Sequence, residues 1–169
     1  MRPHAVPGLG RPALNRWRGR LASLVLVLLA TSASGEGGEP AIAVIVGRNA
    51  SPTGAISQTL VLGIFARKRQ LWNDRSTIAP VNLPVSHPLR RNFSLWVFKK
   101  TPEQMQDYWN EQYFHGVLPP PVLASEEAVM RFVASTPGAI GYVSVCSIDK
   151  RVDVIALIQG PDGTAACPH

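Results

Sequence analysis

Four residues in one short window, Ser86, His87, Arg90 and Arg91, bring together a hydroxyl, an imidazole and two guanidiniums. These are group types that receive an oxyanion, and a guanidinium can grip phosphate or carboxylate through two parallel N–H donors. The competing reading for Arg90 and Arg91 is a surface ion pair or a solvated face, and residue type alone leaves both open. Asn49, Ser51 and Thr53, on an earlier loop, offer further polar contacts for the same ligand. Other chemistry finds less support. His87 and His115 are the histidines of the folded region, with no His-x-x-x-His or Cys/His spacing beside them, so a metal site is not expected. No Gly-x-Ser-x-Gly elbow and no phosphate-cradling glycine loop occurs. Glu126 and Glu127 imitate a carboxylate pair, but neighbours on a helix point about 100° apart, so they suit a helix N-terminus better. No catalytic residue, no cofactor and no enzymatic activity is expected.

The elements that must position these groups follow from hydrophobic pattern and capping chemistry. The apolar run 41–46 suits a strand buried on both faces. Ser57 caps a short helix carrying Leu60, Val61, Ile64 and Phe65, and 77–83 forms a second strand broken by Pro80. A helix begins near Ser86 and Pro88 with Leu89, Phe93, Trp96 and Val97 on one face. Thr101, Pro102 and Gln104 open another in a capping box, with Met105, Tyr108, Trp109 and Gln112 along one side and Gly116 closing it. Pro119, Pro120 and Pro121 make a stiff extended spacer. Ser125 caps a third helix to about Ser135, and strands follow at 141–148 and 152–158. The order β-α-β-α-α-α-β-β implies a three-layer α/β arrangement.

Composition narrows the setting. Arg16, Arg18 and Arg20 precede the apolar run 21–30 and the small residues 31–35, the pattern of a secretory signal peptide, here placed at 1–33. Ten residues fall short of the roughly 20 that span a bilayer as a helix, so membrane contact is expected only through an uncleaved signal segment. Five of the 17 basic residues and none of the 11 acidic ones precede Ser34, so the remainder sits near +1. A nucleic-acid partner loses its compositional support. Residues 34–40 read as a flexible lead-in, 41–159 as one compact domain and 160–169 as a tail. In an oxidising compartment Cys146 and Cys167 either pair, tying the tail to the last hairpin, or leave a buried Cys146 and an unpaired Cys167; spacing does not decide.

An ordered series of short motifs runs through this domain. It comprises Ile64-Phe65, Trp72-Asn73-Asp74, Arg90 with Phe93, Trp109, Phe114-His115-Gly116, Pro119-Pro120, Ser125-Glu126 and 137–142 (Pro-Gly-Ala-Ile-Gly-Tyr). The series resembles the short, single-lobe relatives of periplasmic phosphate-type ABC transporter solute-binding proteins. That resemblance implies a single lobe of a type 2 periplasmic-binding-protein-like fold, a central mixed sheet flanked by helices. It also implies a periplasmic or secreted protein that recognises a small anion, phosphate by resemblance, and works beside an ABC permease or another periplasmic protein. Phe65, Trp72, Phe93, Trp96 and Trp109 are expected in the core rather than on a ligand.

Two departures from the family pattern matter. After Trp72-Asn73-Asp74 the family places Gly, whereas this chain has Arg75, which is strained if the turn needs a positive φ. Full-length relatives carry Ser-Gly-Thr at the start of the helix that leads to Phe93, and here the position reads His87-Pro88-Leu89. Pro88 lacks an N–H and Leu89 lacks a hydroxyl, so Ser86, His87, Arg90 and Arg91 remain to meet an anion. The alternative function is therefore a periplasmic accessory or protein-interaction module that keeps the lobe fold without solute capture.

Overall fold

The computed structural model describes residues 41–48, 50, 52, 54–158 and 167. The expectations for residues 1–40, for Asn49, Ser51 and Thr53, and for the tail other than Cys167 lie outside the described residues. The chain runs β1 (Ile42–Gly47), α1 (Gln58–Phe65), β2 (Ala79–Pro80), α2 (Pro88–Phe98), a 3-10 turn at Glu103–Met105, α3 (Gln106–Phe114), α4 (Glu126–Ser135), β3 (Ala139–Ser144), a second 3-10 turn at Val145–Ser147 and β4 (Val152–Ile158). The sheet has the order β2-β3-β1-β4, with β2 parallel to β3 and β1 antiparallel to both β3 and β4. It is a mixed sheet, and the segments beginning at 41 and at Gly141 lie in it side by side.

Adjacent residues of β3 reveal what covers each face, because successive strand side chains point to opposite sides. A Cβ on Gly141 would sit 2.6 Å from Val129 Cγ1 and 3.2 Å from Val133 Cγ2, so α4 lies directly against that face. Tyr142, on the other face, stacks on Phe93 of α2 with ring centroids 3.8 Å apart and meets Phe65 of α1 edge-on at 5.9 Å. Helices therefore cover both faces, which is why 41–46 is apolar throughout and buried throughout. Phe65, Trp72 and Phe93 are core residues, while Trp96 and Trp109 are only partly buried.

Local chemistry sets most element ends. Ser57 and Ser125 each accept an N–H from the residue three positions on, capping α1 and α4. Thr101 and Gln104 form the reciprocal box, which opens a 3-10 turn before α3 rather than α-helix at once. The second strand is shorter than its pattern, since Pro80 has no N–H to extend a ladder, and only Ala79–Pro80 pairs regularly. β3 starts two residues early and stops at Ser144, where the Ser144 hydroxyl accepts the Cys146 N–H at 3.1 Å and turns the chain. Cys146 and Cys167 are joined by a disulfide with Cα atoms 5.4 Å apart. β4 is an edge strand with a bulge at Ile155, whose carbonyl accepts the Ile56 N–H at 2.8 Å and so covers part of that edge.

Two further features hold the corners. Arg151, between β3 and β4, grips Glu127 of α4 with both terminal nitrogens at 2.9 and 2.8 Å and reaches Asp149 at 2.8 Å. The turn 72–77 closes through Trp72 and Ser76, places Arg75 at φ +69°, and docks by the Trp72 indole N–H donating 3.1 Å to the Gly138 carbonyl. Gly138 has φ +74°, and a Cβ there would lie 2.1 Å from the Thr77 carbonyl oxygen.

Gly138→Ala should lower unfolding free energy by about 3 kcal/mol, combining a left-handed backbone with a backbone clash. Arg75→Gly should raise it by about 0.5–1 kcal/mol, the αL strain of a side chain less the entropy of Gly. Urea midpoints of the two variants check both, and equal midpoints would contradict the turn geometry. The Arg151 hydrogen bonds hold the Glu127 and Asp149 carboxyls below their ordinary range. Depressed carboxyls stabilise fully above the unfolded values near about 4 and lose that contribution as pH falls through the folded ones. Arg151→Met should therefore flatten the loss of stability with acidification below about pH 5, measured as Tm against pH.

Candidate anion site at the start of α2

Parallel strands β2 and β3 present their carboxyl ends in the same direction, the side of an α/β sheet where ligands are received. From β2 the chain passes through Asn82 and Leu83 into the turn 84–87 and enters α2, with His87 as N-cap and Pro88 as first helical residue. From β3 it ends at Ser144, whose N–H donates 2.7 Å to Oε2 of Glu126 at the start of α4. Two helix N-termini thus converge on this end of the sheet, and His87 Nε2 stands 3.8 Å from Glu126 Oε1.

Arg90 is the third residue of α2 and turns inward. It is only 8% exposed, and its Nη1 donates to Oδ1 of Asn82. The Tyr142 hydroxyl donates to the same oxygen at 3.4 Å and accepts the Leu83 N–H at 3.2 Å. Burial holds the Tyr142 hydroxyl well above the ordinary tyrosine range, so it stays a neutral donor. No carboxylate among the described residues lies within ion-pair distance of Arg90, and its Nε is buried without a hydrogen-bond partner. His87 Nδ1 is likewise buried and unpartnered. A buried guanidinium whose partners are neutral is costly, and its unpartnered Nε together with His87 Nδ1 adds to that cost.

The four residues of the sequence window therefore separate. His87 and Arg90 belong to the α2 entrance. Ser86 is exposed in the turn before it. Arg91 faces outward, 3.7 Å from Glu103, with both side chains more than half exposed. Asn49, Ser51 and Thr53 lie outside the described residues; Gly47, which precedes them, pairs with Val152, and its neighbour Val46 pairs with Ile140 at the start of β3. Gly47 is at the opposite end of the sheet from Ser144, which pairs with Ile42, about 17 Å away at strand rise. Asn82, Glu126, Tyr142 and Ser144 complete the α2 surroundings. Of these, Asn82 carries a readable signal: a polar residue placed where an apolar strand ends. Two clefts of about 170 and 430 Å³ occur elsewhere, and neither is lined by His87 or Arg90. Among the described residues no group of three or more His, Cys, Asp or Glu is arranged to hold a metal ion.

Asn82→Leu should cost about 2–3 kcal/mol, because it strips the acceptor from a buried guanidinium. Adding Arg90→Met to Asn82→Leu should recover part of that loss, since it removes the orphaned guanidinium while the Tyr142 hydroxyl keeps the Leu83 N–H. A double variant no more stable than Asn82→Leu alone, by urea denaturation, would contradict the pairing.

No family model matches the chain, and no curated relative does. Solved structures do. An ABC-type phosphate transport receptor from Vibrio cholerae aligns at TM-score 0.56 and 23% identity, over 68% of this chain and 44% of its own. A putative phosphate ABC transporter substrate-binding protein from Clostridium perfringens, with bound phosphate, aligns at 0.55 and 19%, over 68% and 43%. A possible phosphate-binding protein from Planctomyces limnophilus aligns at 0.52 and 9%, over 70% and 42%. The chain spans less than half the length of the structures it matches. At these identities the likeness fixes the fold: the described α/β sheet and its helices follow the architecture of phosphate-type ABC transporter binding proteins.

Proposed function

We propose that this protein is an exported, non-catalytic solute-binding-type lobe that receives a small tetrahedral oxyanion, phosphate in the first instance, at the entrance to α2. The observation that carries the reading is the buried Arg90 guanidinium without a carboxylate, its Nε unpartnered, beside an unpartnered His87 Nδ1. An anion at this position would supply the missing negative charge, and the α2 N-terminus adds a favourable dipole. Pro88 has no N–H, and the Arg90 N–H already donates to the His87 carbonyl, which leaves the Leu89 N–H as the helix-end donor. Capture would thus depend on charge more than on a cradle of neutral donors. The solved structures named for phosphate transport and phosphate binding supply the choice of first ligand and of an ABC permease as partner. Among the described residues no helix is long and apolar enough to cross a membrane.

The second reading, an accessory or protein-interaction module that keeps the fold without solute capture, is favoured by Pro88 and Leu89 and by the neutral acceptor that Arg90 already holds. Calorimetric titration with phosphate and with sulfate separates the two. Solute capture requires saturable heat that is lost in Arg90→Met and retained in Arg91→Met. No heat at about 10 mM of either anion, equivalent to binding weaker than roughly −2.7 kcal/mol, would overturn anion capture in favour of the accessory role.

A further inference from the structure

The most exposed apolar surface among the described residues is on and just after α3, away from the α2 entrance. No residue of α3 is fully buried, though Tyr108, Trp109 and Gln112 are partly so. Phe114 is 86% exposed, Tyr113 65% and Leu118 62%, three large apolar groups within six positions. Apolar exposure on this scale marks a contact surface rather than ordinary scatter. Asp107 and Glu111 precede Phe114 at helical spacing, so an acidic stripe leads up to the aromatic ring. Neither acid has an ion-pair partner among the described residues.

Leu118 also lines the groove of about 430 Å³, together with Pro119, Pro121, Pro80, Phe132 and Arg67. The groove has a definite origin. The 118–121 segment approaches β2 but joins it only where Asn82 donates to the Pro121 carbonyl and Leu123 to the Asn82 carbonyl, each at 2.8 Å. Pro80 and Pro119 to Pro121 have no N–H, so no ladder can zip the remaining gap shut. At the rim, Arg67 makes one long contact with the Ile78 carbonyl at 3.5 Å and has no carboxylate partner among the described residues.

Leu118 thus belongs both to the exposed apolar group that follows the acidic stripe of α3 and to an apolar groove edged by an arginine. A two-fold contact requires that kind of self-complementary patch, each copy offering the other what it also accepts. The groove volume exceeds the roughly 150 Å³ that houses a benzene ring in a protein interior, so it admits Phe114 with Tyr113 at its mouth. We infer that a second copy of this chain docks here about a two-fold axis, Phe114 of each copy entering the groove of the other and Glu111 facing Arg67.

Sedimentation analysis of the protein from about 1 to 200 µM, the range of weak and moderate association, tests this. The expected result is a concentration-dependent dimer that Phe114→Ser weakens by about 30-fold or more, as for a central aromatic anchor. Arg67→Glu should weaken it too, and Arg67→Glu with Glu111→Arg should restore it. A monomer throughout the range overturns the inference, as does a dimer indifferent to Phe114→Ser. Thermal melts establish that each variant is folded. Phe114→Ser decides the matter if Arg67→Glu is not folded, since Phe114 contributes almost nothing to the core.

Discussion

The Tyr142 hydroxyl is the joint on which the rest of the molecule turns. Its ring is a core residue, packed flat on Phe93 and edge-on to Phe65, so it ties β3 to α1 and α2. Its oxygen cannot stay unpaired at that depth. It is satisfied by the Leu83 N–H and the Asn82 side chain, both from the segment between β2 and α2. Asn82 in turn holds Arg90, so a single polar chain in the core ties the segment after β2 to α2 and holds a buried cation. Packing and site geometry are here the same set of contacts.

Sheet topology imposes the next constraint. Because β1 runs antiparallel to β3, the loop after β1 emerges beside the start of β3, while both helix entrances gather at the end of β3. A parallel β1 would have brought all the polar loops to one rim. Among the described residues, the α2 entrance draws on the segment after β2, on the end of β3 and on the start of α4. Elsewhere, Arg48 donates to the Lys150 carbonyl and Arg151 is occupied by Glu127 and Asp149, so these charges hold corners together.

Much of this was legible in the residues. Ser57, Thr101 with Gln104, and Ser125 declared their helix starts, and Gly116 its helix end at φ +74°. Arg75 adopts the left-handed turn that the missing glycine implied. The fate of Arg90 and Arg91 was also encoded, though less openly. Arg90 is in phase with Phe93 and Val97 at i, i+3 and i+7, all buried, whereas Arg91 is rotated about 100° off that face. Residue type hid the difference that helical phase contained. Asn82 as partner was not readable, because pairing a strand end with a helix residue depends on how the two elements pack. The outward face of α3 depends likewise on which neighbours are present, which no local pattern records.

Replacing Ser-Gly-Thr by His87-Pro88-Leu89 changes the physics of any anion contact at this helix. Neutral hydroxyl and amide donors act by direction, and their fixed geometry separates one oxyanion from another. A guanidinium acts by charge over longer range and accepts phosphate, sulfate or carboxylate with little distinction when only one of its edges is available. Arg90 has one such edge, because Nη1 is committed to Asn82. Under the proposed anion capture, the substitution keeps attraction while giving up discrimination. Selectivity at the α2 entrance would then have to come from a second surface closing over the guanidinium, because one edge of Arg90 discriminates little.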